Sequence, residues 1–123
     1  RIAVGDHPKQ KQAALTLLET ATAFVAKTVL LETEWVLRSR YCIKPRAIHA
    51  FLHYLVESAG IYIEDDLAVR RALDFYLAGA DFADAMHLAS SDDCVMHTFD
   101  RAFCRSAIKK GIAPAAVVLQ ATA

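Results

Sequence analysis

Apolar runs of strand character alternate with segments of helical periodicity along this chain, and that alternation constrains its fold more than any other feature. A strand repeats its faces every second residue and a helix every ~3.6, so the two patterns do not substitute for each other. Gly5-Asp6-His7-Pro8 reads as a turn into a helix, with Pro8 near the first helical position and Ala13, Ala14, Leu17 and Leu18 on one face. Phe24 to Leu31 is apolar and β-branched enough to predict a buried strand, broken only by Lys27 and Thr28, and Glu32 to Tyr41 turns helical. Pro45 opens a helix with the stripe Ile48, Phe51, Leu52 and Leu55, which Gly60 ends. Ile61-Tyr62-Ile63 is a short strand, Asp65 to Ala78 a helix stopped by Gly79, and Asp81 to Ser90 a shorter helix. Cys94 to Phe99 predicts a strand, Arg101 to Lys110 a helix closed by Gly111, and Ala115 to Leu119 a last strand. Strands separated by helices predict an α/β domain, with a parallel sheet flanked by helices.

The length of 123 residues suits one domain with a real core, and a hydrophobic content of 55% excludes a disordered tail. No apolar run approaches the ~18 residues that span a bilayer, so a membrane anchor is not expected. The balance of 14 Lys+Arg against 14 Asp+Glu argues against a polycation built to coat nucleic acid, though not against a local basic patch. Cys42, Cys94 and Cys104 are odd in number and irregularly spaced, which predicts reduced thiols in a cytoplasmic protein rather than a disulfide frame. No signal peptide is visible in the sequence.

Ligands of open parallel sheets bind outside the carboxyl ends of the strands. On the predicted boundaries those positions are Glu32, Glu64 with Asp65, and Asp100, and Asp81 and Asp84 add an acidic pair just before the third strand. Converging carboxylates repel unless a hard cation joins them, and oxygen-only donors select Mg²⁺ or Mn²⁺. Such an ion activates water and neutralises charge on a phosphate, the chemistry of phosphodiester hydrolysis.

Each residue also has a plainer explanation. Asp81 has the features of a helix N-cap, Asp100 could cap the helix after it, and Glu32 and Glu34 stand near a helix start where negative charge is favoured anyway. Asp84 sits between Phe82-Ala83 and Ala85-Met86, a place where a carboxylate needs a partner. His49 and His53 share one helix face with Glu57 a turn further on; a partly solvated face is the first explanation, and a zinc site lacks a third ligand motif. Arg38, Arg40, Lys44 and Arg46 cluster, as do Arg101, Arg105, Lys109 and Lys110. They suit either solvated helix surface or a rim that tracks phosphates.

Three blocks taken together, Thr28-Val-Leu-Leu-Glu32-Thr-Glu-Trp35-Val-Leu-Arg-Ser39, Gly79-Ala-Asp-Phe-Ala-Asp84-Ala-Met-His-Leu-Ala89 and His97-Thr-Phe-Asp100-Arg-Ala-Phe103, resemble PIN-domain proteins. Within these the chain is most similar to the VapC-type toxin ribonucleases of bacterial toxin–antitoxin pairs. The resemblance covers essentially the whole chain. It implies a three-layer fold, RNA cleavage dependent on Mg²⁺ or Mn²⁺, a homodimer and a cognate antitoxin. It assigns the catalytic, metal-holding roles to Glu32, Asp84 and Asp100, with Asp81 and Thr98 accessory, and leaves Glu34 outside the site. Arg38 and Arg40 become candidates for RNA contact. Family members begin with a strand ending in Asp; Ile2-Ala-Val-Gly-Asp6 imitates it, but His7-Pro8-Lys9-Gln10 looks like the turn between the family's first two helices. On that comparison Arg1 lies inside the first helix, and about a dozen residues are missing from a single domain spanning 1–123, the central strand and first Asp included.

Two rivals stand beside the nuclease. One is a PIN-like module that docks an antitoxin and cleaves nothing. The other is a receiver-type phosphorylation domain, which needs an acidic pair after its first strand and a Lys after its last, neither of which is evident.

Overall fold

A computed structural model describes residues 8–20, 22–91, 94–102, 104–105 and 116–118. The elements are α1 (Pro8–Thr20), β1 (Ala23–Val25), α2 (Lys27–Ser39), α3 (Pro45–Glu57), β2 (Ile61–Ile63), α4 (Asp66–Leu77), α5 (Phe82–Ala89), β3 (Met96–Thr98) and β4 (Ala116–Val118). Residues 101–102 and 104–105 are helical. The expected place of Arg1 and the turn at Gly5 to His7 lie outside the described residues, as does most of the predicted helix over Arg101 to Lys110.

The chain is a mixed α/β protein whose strand pairs are all parallel among the described residues. β1 pairs with β2 in the register Ala23↔Ile61, Phe24↔Tyr62 and Val25↔Ile63. β3 pairs with β4, Met96↔Ala116 to Thr98↔Val118. These are two separate two-stranded sheets. Parallel strands need a crossover between them, and α2 with α3 supplies the one from β1 to β2.

One expected boundary is corrected. The strand predicted from Phe24 to Leu31 stops at Val25, and Lys27 to Leu31 belongs to α2. The β-branched Thr28 and Val29 favour extended chain locally, but a helix begun at Lys27 buries Leu30, Glu34 and Leu37 on one face. No side chain of residue 26 caps that helix; the Glu64 carboxylate, 37 positions away, accepts from the Lys27 backbone N–H at 2.8 Å. A cap supplied across the fold leaves no local trace in sequence.

The core lies between the helices. α4 packs most extensively on α5 and next on α3. Leu30, Ile48, Leu52, Val69, Leu73, Phe82 and Leu88 are fully buried, each contributing roughly 1.5–3 kcal/mol of transfer free energy. Gly60 and Gly79 take positive φ after α3 and α4, where a β-carbon would strain the turn. Val25 and Ile63 face the core, whereas Phe24 and Tyr62, adjacent across the β1–β2 register, are 69% and 63% exposed.

Candidate functional site

The acidic groups are positioned by α5 and by the carboxyl end of β3. Asp81 is the N-cap of α5, its Oδ2 accepting from the Asp84 backbone N–H at 3.1 Å. Asp84 occupies the first turn, half-buried beside the fully buried Phe82, Ala85 and Met86. Asp100 follows β3, is exposed, and its carbonyl accepts from the Cys104 N–H. The Asp84 carboxyl is pushed above the ordinary carboxylate range, first by burial, then by the negative charges of Asp81 and Asp100, while His87 pulls it back. Asp81, Asp84 and Asp100 therefore share one electrostatic neighbourhood.

Glu32 is placed differently from its expected position. With β1 ending at Val25 it is no strand exit; it lies in α2, exposed, and no side-chain hydrogen bond or ion pair joins it to another group among the described residues. The residue that follows β1 closely is the cation Lys27, whose Nζ donates to Asp65 Oδ2 at 2.8 Å and to Ser90 Oγ at 2.9 Å. Asp65 is held below the usual carboxylate range chiefly by that hydrogen bond. Glu64 and Asp65, acidic as read from sequence, are thus engaged in joining the exits of β1 and β2 to α2 and α5.

Glu34 is the one buried charged residue among the described residues, at 4% exposure. Arg38 Nε donates to its Oε2 at 2.8 Å and the Tyr76 hydroxyl donates to the same oxygen at 3.0 Å. Tyr76 in turn meets Phe82 edge-on, ring centroids 5.1 Å apart. The Tyr76 phenol is pushed above its ordinary range by burial first and by Glu34 second. The Arg38 guanidinium is raised mainly by Glu34 and, more weakly, by Asp81. A polar strut therefore runs from α2 through α4 to the start of α5, with a half-exposed cation beside the acidic cluster. Sequence reasoning left Glu34 without a role. The spacing Leu30, Glu34, Leu37 would have placed it on the buried stripe of α2, with Arg38 one turn on.

Arg40 is exposed, its guanidinium 5.9 Å from the Trp35 ring centroid. Thr98 ends β3, and its side chain lies outside the described residues.

The oxygen donors of Asp84, Asp100 and Asp81 suit a hard cation. Among the described residues no group of three or more His, Cys, Asp or Glu is arranged to hold a metal ion. Mg²⁺ is commonly held by one or two carboxylates, with water and substrate phosphate filling the remaining positions.

The chain matches no family model, no curated protein and no solved structure. Among the described residues no helix is long and apolar enough to cross a membrane.

Proposed function

We propose that the chain is a PIN-like, VapC-type endoribonuclease, the toxin of a toxin–antitoxin pair, acting through Mg²⁺ or Mn²⁺. The observation that carries this reading is the placement of Asp84, half-buried in the first turn of α5, with its carboxyl raised first by burial and then by the charges of Asp81 and of Asp100 at the exit of β3. Carboxylates crowded in this way are costly to ionise unless a cation joins them. The metal, when bound, supplies an activated water and neutralises charge on the scissile phosphate. Asp84 and Asp100 would hold it, Asp81 would fix the first turn of α5, and Arg38, steadied by Glu34, would meet an RNA phosphate. This reading takes the parallel pairs β1–β2 and β3–β4, two separate sheets, as parts of one three-layer fold, and a homodimer and an antitoxin presenting Arg or Lys to the acidic cluster belong to it.

A second reading, a PIN-like module that docks an antitoxin without cleaving RNA, is favoured by Glu32 not being among the charges that act on Asp84. One experiment separates the two. A structured RNA is incubated with the chain in EDTA, Mg²⁺ or Mn²⁺, beside Asp84→Asn and Asp100→Asn. Metal-dependent cleavage lost in both variants supports the nuclease. Cleavage indifferent to metal or to Asp84 refutes it, and no cleavage by the folded chain leaves the docking module.

A further inference from the structure

The acidic cluster uses none of the imidazoles on α3. His49 and His53 stand one helical turn apart there, their ring centroids 5.9 Å apart and their planes within 14° of parallel. Two residues four apart project from the same side of a helix, the spacing at which one helix offers two nitrogen ligands to a single cation. Carboxylate charge reaches both rings. Glu57 Oε1 is 3.8 Å from His53 Nε2, and Arg70 holds Glu57 from the α4 side. The charge of Asp74, also on α4, reaches His49. A neutral imidazole has a ring lone pair with which to bind a metal.

We propose that His49 and His53 form a two-imidazole site for a borderline divalent transition-metal ion such as Ni²⁺, Zn²⁺ or Cu²⁺, with water completing the coordination shell. Imidazole nitrogen selects this class over the hard Mg²⁺ that carboxylate oxygens favour, so the site differs in chemistry as well as place from the acidic cluster. Among the described residues no third protein ligand completes it. Two ligands with water make an exchangeable site rather than the closed four-ligand centre of a structural zinc. Asp74, whose charge reaches His49, acts from outside the coordination shell by favouring a cation there. A solvated helix face carrying two stacked rings needs none of these groups to act together, and that is the difference to be measured.

The test is calorimetric titration of the untagged full chain with Ni²⁺, beside His53→Ala, His49→Ala and Asp74→Asn. His53 is exposed, so His53→Ala leaves the core intact, and far-UV circular dichroism checks the fold of the other two. Saturable binding of one ion per chain is expected. Its affinity should fall at least about tenfold in each histidine variant, and by less in Asp74→Asn, which removes only a nearby charge. Absence of binding at millimolar Ni²⁺ would overturn the proposal. Equal affinity in folded His53→Ala would do the same, because the ion would then sit elsewhere.

Discussion

The Tyr76 hydroxyl donates to Oε2 of Glu34 across 3.0 Å, joining α4 to α2 through the one buried carboxylate among the described residues. The bond has two consequences. It satisfies a phenol that burial would otherwise leave costly, and it fixes the oxygen to which Arg38 also donates. The guanidinium beside the acidic cluster is therefore positioned from within the core.

Removing that hydroxyl is the simplest probe. Tyr76→Phe should lower the unfolding free energy by about 1.5 kcal/mol in urea melts, the scale of a hydrogen bond to a charged acceptor. Glu34→Ala should cost more, about 3 kcal/mol, because it leaves the phenol unpaired and opens a cavity. The phenol pKa is raised in the folded state, so its contribution is complete below the unfolded value near ~10 and lost as pH climbs above it. Tyr76→Phe should remove this alkaline loss.

Asp84 has the same sign at lower pH. Its folded pKa is raised, so ionisation costs stability as pH rises through the unfolded value near ~3.9 towards the folded one. Asp84→Asn should therefore melt above the wild type at neutral pH and converge with it near pH ~3. A wild type that melts higher than Asp84→Asn at neutral pH without metal would contradict the crowding of Asp81, Asp84 and Asp100.

Metal should act through the same carboxylates. A ligand that binds only the folded state at a hundredfold excess over Kd stabilises it by about 2.7 kcal/mol. Mg²⁺ or Mn²⁺ should raise the melting point near neutral pH, with the gain fading as acid protonates the ligands. Asp84→Asn should show no such shift. Thermal melts with EDTA and with each metal read this without an activity assay.

Asp65 provides the opposite sign. Its pKa is lowered by Lys27, so its stabilisation is present above the unfolded carboxylate value and lost as pH falls through the folded one. Asp65 also has φ +51°, a left-handed conformation that Asn adopts readily. Asp65→Asn should keep the turn, lose the ion pair and flatten the acid limb of the stability curve. An unchanged acid limb would show that the Lys27 contact contributes little in water.

Glu32 and Glu34 separate stability from activity. Glu32 is exposed, so Glu32→Gln should change stability by no more than about 0.5 kcal/mol, and the resemblance that gives Glu32 a metal-holding role predicts reduced RNA cleavage in the same variant. Glu34→Gln should destabilise measurably, because an amide cannot match a carboxylate's bond to Arg38. Cleavage insensitive to Glu32→Gln would exclude Glu32 from the site.

Local signals in the sequence determined most element types in this protein. Pro8 and Pro45 open α1 and α3, Ile61 to Ile63 forms a strand, and Asp81 caps α5, because fixed proline geometry, β-branching and a carboxylate near free N–H groups act within a few residues. Only the tertiary structure decided that Lys27 to Leu31 is helix. That outcome rests on Glu64 capping from 37 residues away and on the burial of Leu30 and Leu37, neither of which local propensity contains. The same holds for the carboxylates. Their positions along the chain showed which were acidic near a strand or helix end, but not which were already engaged. Lys27 took Asp65, Arg38 and Tyr76 took Glu34, and the charges of Asp81 and Asp100 reach Asp84, because charges act through space, over distances that sequence separation does not measure.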